Sequence, residues 1–128
     1  MDVVLIDDNE RLRWILTAIV EATGAHVRAF PDGETALADI ARLAPDLILQ
    51  DIEMPGLHGL DLIAEIRARY GASIPVAAVT SRADDGGRAV HQAGFDWVLP
   101  KPVSTAAILA LLREVRLAKP GNALETSL

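Results

Sequence analysis

The chain has no cysteine, few aromatic residues (4%) and no long uninterrupted apolar segment. The lack of cysteine excludes disulfides, thiolate metal sites and cysteine nucleophiles. The longest apolar runs, such as Ala106–Leu112, are far shorter than the ~20 residues that a membrane-spanning helix needs. The first residues include Asp2, where a secretory signal would carry positive charge. We therefore expect a cytoplasmic protein with no membrane partner.

Basic charge is also scarce, with 12 Lys and Arg against 18 Asp and Glu and a net charge of -6. Because proteins bind nucleic acids mainly through Lys and Arg on phosphates, direct nucleic-acid binding by this chain is disfavoured. A length of 128 residues suits one domain, and a hydrophobic content of 51% supplies an aliphatic core. We predict one domain over residues 1–118, followed by a tail or the start of a linker over residues 119–128.

Short apolar runs rich in β-branched residues alternate with amphipathic segments five times, which is typical of βα units around a parallel sheet. The predicted strands are Val3–Ile6, His26–Phe30, Asp46–Gln50, Val76–Thr80 and Trp97–Leu99. The predicted helices are Arg11–Thr23, a second helix capped by Asp32 that runs to about Leu43, Leu60–Tyr70, Asp84–Ala93 and Ser104–Ala118, with Ser104 as its N-cap. This pattern predicts an α/β fold, a doubly wound sheet of five parallel strands in the order 2-1-3-4-5.

Two of the predicted helices carry more detailed expectations. The first helix should bury one stripe of aliphatic residues, namely Leu12, Ile15, Leu16, Ile19 and Val20. The fourth helix contains Gly86 and Gly87 in its first turns, which costs about 2 kcal/mol relative to two alanines. We therefore expect the fourth helix to be the least stable.

Polar residues lie at or just beyond the carboxyl ends of four of the predicted strands, namely Asp7, Asp8, Asp51, Thr80 and Lys101. Ligands of open parallel sheets bind outside the carboxyl ends of the strands, so these side chains should share one crevice. Each acid, taken alone, can instead cap the helix that follows it. Three converging carboxylates repel one another unless a cation lies among them, and Mg²⁺ prefers oxygen ligands. The set therefore predicts a magnesium site.

The central position of Asp51 in this crevice makes it a possible nucleophile. Its carboxylate can attack the phosphorus of a phosphoryl donor while the cation and Lys101 neutralise the equatorial oxygens. Thr80 can then donate a hydrogen bond to an oxygen of the product. The residues alone thus point to phosphoryl transfer onto an aspartate.

Four segments of the chain carry a resemblance to a known family. They are VVLIDDNE at 3–10, PDLILQDIEMPGLHGLDL at 45–62, VAAVTS at 76–81 and GFDWVLPKP at 94–102. In this order and at these separations they closely resemble the receiver domain of two-component response regulators, from Met1 to about Leu117. The resemblance implies a flavodoxin-like (βα)5 fold.

The resemblance also implies roles for individual residues. It makes Asp51 the phosphoacceptor, Asp7 and Asp8 the acidic pair that holds Mg²⁺ together with Asp51, Glu53 a metal ligand through its backbone carbonyl, Thr80 the switch hydroxyl and Lys101 the phosphate-contacting lysine. The bond between Lys101 and Pro102 resembles one that is cis in the family.

The implied function is signalling rather than ordinary enzyme catalysis. Such a domain accepts a phosphoryl group from a histidine kinase or a histidine phosphotransfer protein, keeps it as an acyl phosphate and loses it by hydrolysis. Phosphorylation then switches a protein-interaction face. The implied partners are that phosphodonor, a downstream protein or a fused output domain not visible in this chain, and a second copy in a homodimer through the fourth helix, fifth strand and fifth helix.

Some positions depart from the family pattern or stay open. The usual switch aromatic falls on Val98, which lacks a ring, and the neighbouring Trp97 should point to the opposite face of its strand. Trp14 should be partly exposed, either as a contact for the phosphodonor protein or lying on its own helix. Glu53 and Arg82 are candidates for tuning hydrolysis of the acyl phosphate. The histidines, His26, His58 and His91, have no metal-ligand spacing and are interpreted as ordinary.

Two alternative functions remain at this point. One is a pseudo-receiver that keeps the fold and acts as a constitutive protein-binding module. The other is a Mg²⁺-dependent phosphohydrolase with an aspartyl nucleophile. Such enzymes usually place the nucleophile on the first strand with a second acid two residues later, whereas Asp7 and Asp8 are adjacent.

Overall fold

The computed structural model describes residues 1–53, 59–81 and 88–118. Within these residues the chain forms five strands that alternate with five helices. The strands are β1 (Asp2–Ile6), β2 (His26–Phe30), β3 (Leu47–Asp51), β4 (Val76–Thr80) and β5 (Trp97–Pro100). The helices are α1 (Glu10–Glu21), α2 (Gly33–Arg42), α3 (Gly59–Tyr70), α4 (Arg88–Ala93) and α5 (Thr105–Ala118).

The strands form one parallel sheet in the order β2-β1-β3-β4-β5, which confirms the predicted fold class. In register, Ile6 lies beside Gln50, Asp51 beside Val79, and Thr80 beside Pro100. The carboxyl ends of β1, β3, β4 and β5 therefore meet at the same edge of the sheet.

Two aliphatic clusters cover the two faces of the sheet. On one face α1 and α5 pack against alternate strand residues such as Leu5, Leu49 and Val79. On the other face α2, α3 and α4 pack against the intervening residues, such as Ile6 and Ile48. All five residues of β3 and of β4 are buried, as expected for central strands covered on both faces.

The first helix differs in one respect from its predicted buried stripe. Leu16 and Val20 are buried, with Leu12 and Ile19 partly buried beside them, but Ile15 is 49% exposed. Ile15 lies at the edge of the stripe, and α1 packs with its centre on Leu16 and Val20. The prediction that Ile15 faces the core is wrong.

The predicted helix starts agree with the capping contacts. The Asp32 carboxylate accepts a hydrogen bond from the Thr35 amide at 2.7 Å, and the Ser104 hydroxyl accepts one from the Ala107 amide at 3.0 Å. The described part of the fourth helix is Arg88–Ala93, within the predicted Asp84–Ala93. The predicted start at Asp84, with Gly86 and Gly87, lies outside the described residues. The predicted tail beyond Ala118 lies outside them as well.

In the described residues, the helices are too short or too polar for any of them to cross a membrane.

Arg67 on α3 connects the chain segments at the amino ends of β4 and β5. Its guanidinium donates two hydrogen bonds to the Gly94 carbonyl, at 3.0 and 2.8 Å, and one to the Ile74 carbonyl at 2.8 Å. It also pairs with Asp96 at 2.9 Å, and the same Asp96 oxygen accepts a hydrogen bond from the Val76 amide at 2.9 Å. Sequence analysis gave no role to Arg67, because these partners are loop carbonyls distant in sequence.

We expect Arg67→Lys to lower the free energy of unfolding by about 2–3 kcal/mol, because a single ammonium cannot satisfy the carbonyls that the planar guanidinium reaches. Urea denaturation measures the change. The matched control is Arg69→Lys, since Arg69 pairs with Glu65 on the exposed side of the same helix and should matter by less than about 0.5 kcal/mol. Equal effects of the two substitutions would contradict this account.

Candidate functional site

The residues predicted to form the site do meet at the carboxyl edge of the sheet. Asp7 directly follows β1, Asp51 and Thr80 are the last residues of β3 and β4, and Lys101 directly follows β5. The backbone amide of Lys101 donates to the Thr80 carbonyl at 2.9 Å, which holds the end of β5 beside the end of β4. The peptide bond between Lys101 and Pro102 is cis, as predicted.

Asp7 is the most deeply buried acid of the site, with no exposed surface. Its Oδ1 accepts a hydrogen bond from the Asn9 amide at 2.8 Å. Its Oδ2 is buried, and no hydrogen-bond donor among the described residues reaches it. Burial raises the pKa of Asp7 from 3.8 to about 6, and the nearby Asp51 charge adds to this effect. The charge of the Asp7 carboxylate is therefore only partly compensated.

Asp51 is also buried, at 3% exposure, but it has a cationic partner. Its Oδ1 accepts a hydrogen bond from the Glu53 amide at 2.9 Å and lies 3.2 Å from the Lys101 ammonium. A backbone amide of the turn after β3 thus orients the Asp51 carboxylate, while Lys101, which follows β5, supplies the positive charge.

The Glu53 side chain bridges the ends of three strands. Its Oε1 accepts hydrogen bonds from the Thr80 hydroxyl at 2.8 Å and from the Ser81 amide at 2.6 Å. The Ser81 hydroxyl lies within 2.9 Å of both carboxylate oxygens, and the Lys101 ammonium lies 3.9 Å from Oε2. The hydrogen bond from Thr80, followed by those from Ser81, lowers the pKa of Glu53 to about 2. Glu53 is therefore an anion at neutral pH.

Three of the acids are arranged as a cation site requires. Asp7, Asp8 and Asp51 each offer a carboxylate oxygen, and these oxygens lie within 4.8 Å of one another, with Asp8 exposed and the other two buried. Oxygen donors with several negative charges suit a hard divalent cation such as Mg²⁺. The uncompensated Oδ2 of Asp7 adds a buried atom that needs a positive partner. The residues present therefore fit a Mg²⁺ ion.

Val98, at the position of the usual switch aromatic, and its neighbour Trp97 lie on opposite faces of β5, as strand alternation predicts. Val98 packs against the cluster under α2, α3 and α4, whereas Trp97 packs against the cluster under α1 and α5. The Trp97 indole donates a hydrogen bond to Glu114 of α5 at 2.6 Å. Trp97 is thus a packing residue beneath α5, and it does not replace the missing ring at Val98.

Other residues singled out in the sequence are distributed as follows. Trp14 is 80% exposed on α1, as predicted. His26 and His91 are exposed and take no part in the acidic cluster. His58 and Arg82 lie outside the described residues.

Sequence analysis missed two contributors to the site. Ser81 supplies an amide and a hydroxyl to Glu53, and its position directly after Thr80 at a strand end was the available signal. Arg13 donates from its guanidinium to the Asp7 carbonyl at 2.8 Å, which holds the turn after β1. No sequence signal identifies that contact, because it depends on how α1 turns back over the end of β1.

Known proteins resemble the chain over most of its length. The family described as response regulator receiver domain matches residues 3–113. The DNA-binding transcriptional regulator NtrC of Salmonella typhimurium is 36% identical over 84% of this chain, and the match spans 23% of NtrC. An uncharacterised 14.6 kDa protein of Leptolyngbya boryana is 33% identical over 96% of this chain and 95% of its own length.

A solved structure gives the same picture. The receiver domain of the sensor histidine kinase PA1611 of Pseudomonas aeruginosa has a TM-score of 0.80 and 31% identity, covering 88% of this chain and 94% of that one. That structure holds a magnesium ion coordinated in its active-site cleft. The chain spans about a quarter of the length of the NtrC relative and nearly all of the other two.

We expect Asp7→Asn to stabilise the metal-free protein near pH 7.5 by about 2 kcal/mol and to change its stability little near pH 4. The native state keeps a proton on Asp7 up to about pH 6, whereas the unfolded state loses it near 3.8, so ionisation destabilises the fold as pH rises between these values. Thermal unfolding in the presence of a chelator measures the effect. Asp8→Asn is the control, because water already solvates that exposed carboxylate. A gain for Asp7→Asn that is equal at both pH values would contradict the explanation.

Proposed function

Because the chain belongs to the response regulator receiver domain family, we propose that it accepts a phosphoryl group on Asp51 in a Mg²⁺-dependent reaction and thereby switches a protein-interaction face. The observation that carries the proposal is the position of Asp51, a buried carboxylate 3.2 Å from the Lys101 ammonium and beside two further acids. Receiver domains are signalling domains, and this proposal gives the chain a signalling rather than a metabolic role.

In the proposed reaction an oxygen of the Asp51 carboxylate attacks the phosphorus of a phosphohistidine. The P–N bond to the donor imidazole breaks, and its electron pair remains on that nitrogen, which takes up a proton. The new O–P bond makes an acyl phosphate. Lys101 neutralises charge on the phosphoryl oxygens as they leave the donor, and Thr80 donates a hydrogen bond to one of them in the product.

Asp7, Asp8, Asp51 and the backbone carbonyl of Glu53 would hold the Mg²⁺ ion. When bound, this ion supplies positive charge for the acids and for the phosphoryl oxygens. Asp7 must be ionised to act as a ligand, and its contact with the Asn9 amide orients it for this role. Asp8, the exposed member, keeps the site open to the phosphodonor.

Loss of the signal is the hydrolysis of the acyl phosphate. A water oxygen attacks the phosphorus, the O–P bond to Asp51 breaks, and inorganic phosphate leaves while the carboxylate is restored. We propose that the domain carries out this reaction itself, without being an enzyme that turns over an external substrate. Residues at the edge of the site, such as Glu53, can admit or exclude that water.

The proposed partners follow from the phosphodonor chemistry and from the relatives. A histidine kinase or a histidine phosphotransfer protein supplies the phosphoryl group, and a downstream protein or a fused output domain receives the signal. NtrC is a DNA-binding regulator, and PA1611 is a sensor kinase, so receivers occur beside different outputs. With its net charge of -6, the present chain is not proposed to bind DNA itself. We propose a domain over residues 1–118 and a cytoplasmic location, with α4, β5 and α5 as the face for homodimers or other partners.

The switch in this receiver has to operate without an aromatic ring at the usual position. Val98 is partly buried against the cluster under α2, α3 and α4. Its small side chain cannot rotate between a buried and an exposed position in the way that an aromatic ring does. We propose that phosphorylation of Asp51 is instead transmitted through a shift of the Thr80 side chain and a change in the packing of α4. In the described part of α4, Val90 is the only buried residue, so few apolar contacts of Arg88–Ala93 oppose a movement of that helix.

We expect incubation with Mg²⁺ and acetyl phosphate to add one phosphoryl mass to the protein, and we expect the Asp51→Ala variant to gain none. Intact-mass spectrometry measures both. A chelator should abolish the adduct, because the acidic cluster then repels the anionic donor. If neither the adduct nor a complex with beryllofluoride forms, the chain is a pseudo-receiver, and the proposed chemistry is wrong.

We also expect Trp14→Ala to slow phosphotransfer from a histidine phosphotransfer protein by about tenfold while leaving phosphorylation by acetyl phosphate unchanged. Trp14 is a large exposed side chain on the helix that follows Asp7 and Asp8, and such residues are enriched at interfaces. Leu43→Ala, which removes another exposed apolar side chain beyond the end of α2, serves as the control. Unchanged transfer kinetics would remove Trp14 from the docking surface.

A further inference from the structure

Four donor groups converge on the Glu53 carboxylate. They are the Thr80 hydroxyl, the Ser81 amide, the Ser81 hydroxyl and, at longer range, the Lys101 ammonium. Such a set of a backbone amide, hydroxyls and an ammonium is what an anionic tetrahedral group needs. The proposed function assigns Thr80 and Lys101 to the phosphoryl group on Asp51. The carboxylate and the phosphoryl group therefore require the same donors.

The two anions cannot use these donors at the same time. A phosphoryl group on Asp51 carries about two negative charges at neutral pH, and a carboxylate held beside it adds another in a partly buried site. Lys101 already lies between Asp51 at 3.2 Å and Glu53 at 3.9 Å and cannot neutralise all of this charge. Repulsion and the shared donors both favour departure of the carboxylate when the phosphoryl group arrives.

The position of Glu53 allows this departure without a change of fold. Its amide stays bonded to Asp51 Oδ1 at 2.9 Å, so its backbone remains in place while the side chain rotates. The Glu53 side chain is 31% exposed, whereas Asp51 is 3% and Thr80 0% exposed. The carboxylate thus lies on the solvent side of the buried donors and can move into water.

We infer that the Glu53 carboxylate is an internal competitor of the phosphoryl group, which holds Thr80, Ser81 and Lys101 in the unphosphorylated protein and must release them before Asp51 is phosphorylated. This inference rests on the proposed function and predicts the sign of the effect of Glu53 on phosphorylation. Glu53 slows acceptance of the phosphoryl group and weakens binding of its analogues. It also holds the Thr80 hydroxyl until phosphorylation frees it.

The test compares the rates at which acetyl phosphate and Mg²⁺ label the parent, Glu53→Gln and Glu53→Ala, together with their apparent affinities for beryllofluoride. We expect Glu53→Ala to gain about tenfold in both, the worth of one hydrogen bond to a charged group, and Glu53→Gln to gain less because its amide oxygen still accepts hydrogen bonds. Intact mass gives the labelling rates, and ¹⁹F NMR gives the affinities.

Two controls separate competition from a general charge effect. Glu10→Gln removes a negative charge from the exposed first turn of α1, near the same edge, and should leave both quantities unchanged. A gain that arises from competition should persist at high salt, whereas long-range attraction of the donor is screened. Equal gains for Glu10→Gln and Glu53→Gln would overturn the inference.

A direct readout tests the contact itself. The Ser81 amide proton, bonded to Glu53 Oε1, should shift in the NMR spectrum of Glu53→Gln before any donor is added, and beryllofluoride should shift it in the parent. If the parent is labelled on Asp51 but the Glu53 variants are labelled at the same rate or more slowly, competition is wrong and the proposed function stands. If neither the parent nor the variants are labelled and none binds beryllofluoride, the proposed function fails, and the inference fails with it.

Discussion

The crowding of negative charge at the carboxyl edge of the sheet is the constraint on which the site depends. Three carboxylates offer oxygens within 4.8 Å of one another, and two of these side chains are buried. Parallel strands in this order bring the acids together whether or not their charges are balanced. Within the described residues, the balance is partial: Lys101 and a backbone amide serve Asp51, whereas Asp7 has an amide on one oxygen only. The fold thus creates a site at which a bound cation reduces the repulsion among the three carboxylates.

The opposite edge of the sheet is built in the reverse way. There Arg67 donates to several loop carbonyls and pairs with Asp96, which in turn accepts from the amide of Val76. Donors and acceptors are matched, and the aliphatic clusters on both faces continue up to that edge. The molecule therefore combines a well-satisfied end, which holds the strands in register, with an end that keeps unbalanced charge for chemistry.

Glu53 shows how one position can serve the site twice. Its backbone belongs to the turn that orients Asp51, while its side chain holds the hydroxyls and the lysine on the other side of the site. The backbone contact does not depend on the side chain, so the two roles can be separated by substitution. Because Val98 has no aromatic ring to change position, the proposed switch depends more strongly on Thr80 and its hydrogen-bond partners.

Much of this protein could be predicted from local sequence. The alternation of β-branched runs and amphipathic segments sufficed for the strands and for a doubly wound parallel sheet, of which 2-1-3-4-5 is a common order. Polar residues at the carboxyl ends of four strands sufficed for Asp7, Asp8, Asp51, Thr80 and Lys101, because the carboxyl ends of parallel strands share an edge. The amphipathic stripe of α1 was right except at Ile15, whose exposure depends on the rotation of the helix against its neighbours.

The contacts of long side chains were decided only by the tertiary structure. Glu53 was expected at the site through its backbone carbonyl and as a side chain that tunes hydrolysis. Nothing in its neighbours along the chain indicates that its carboxylate reaches Thr80 and Ser81, 27 and 28 residues away. The same holds for Arg67 and Gly94, 27 residues apart. The positions of strands and helices follow from short-range hydrophobic pattern, whereas the partner of a flexible charged side chain is set by which donors the folded chain leaves within its reach.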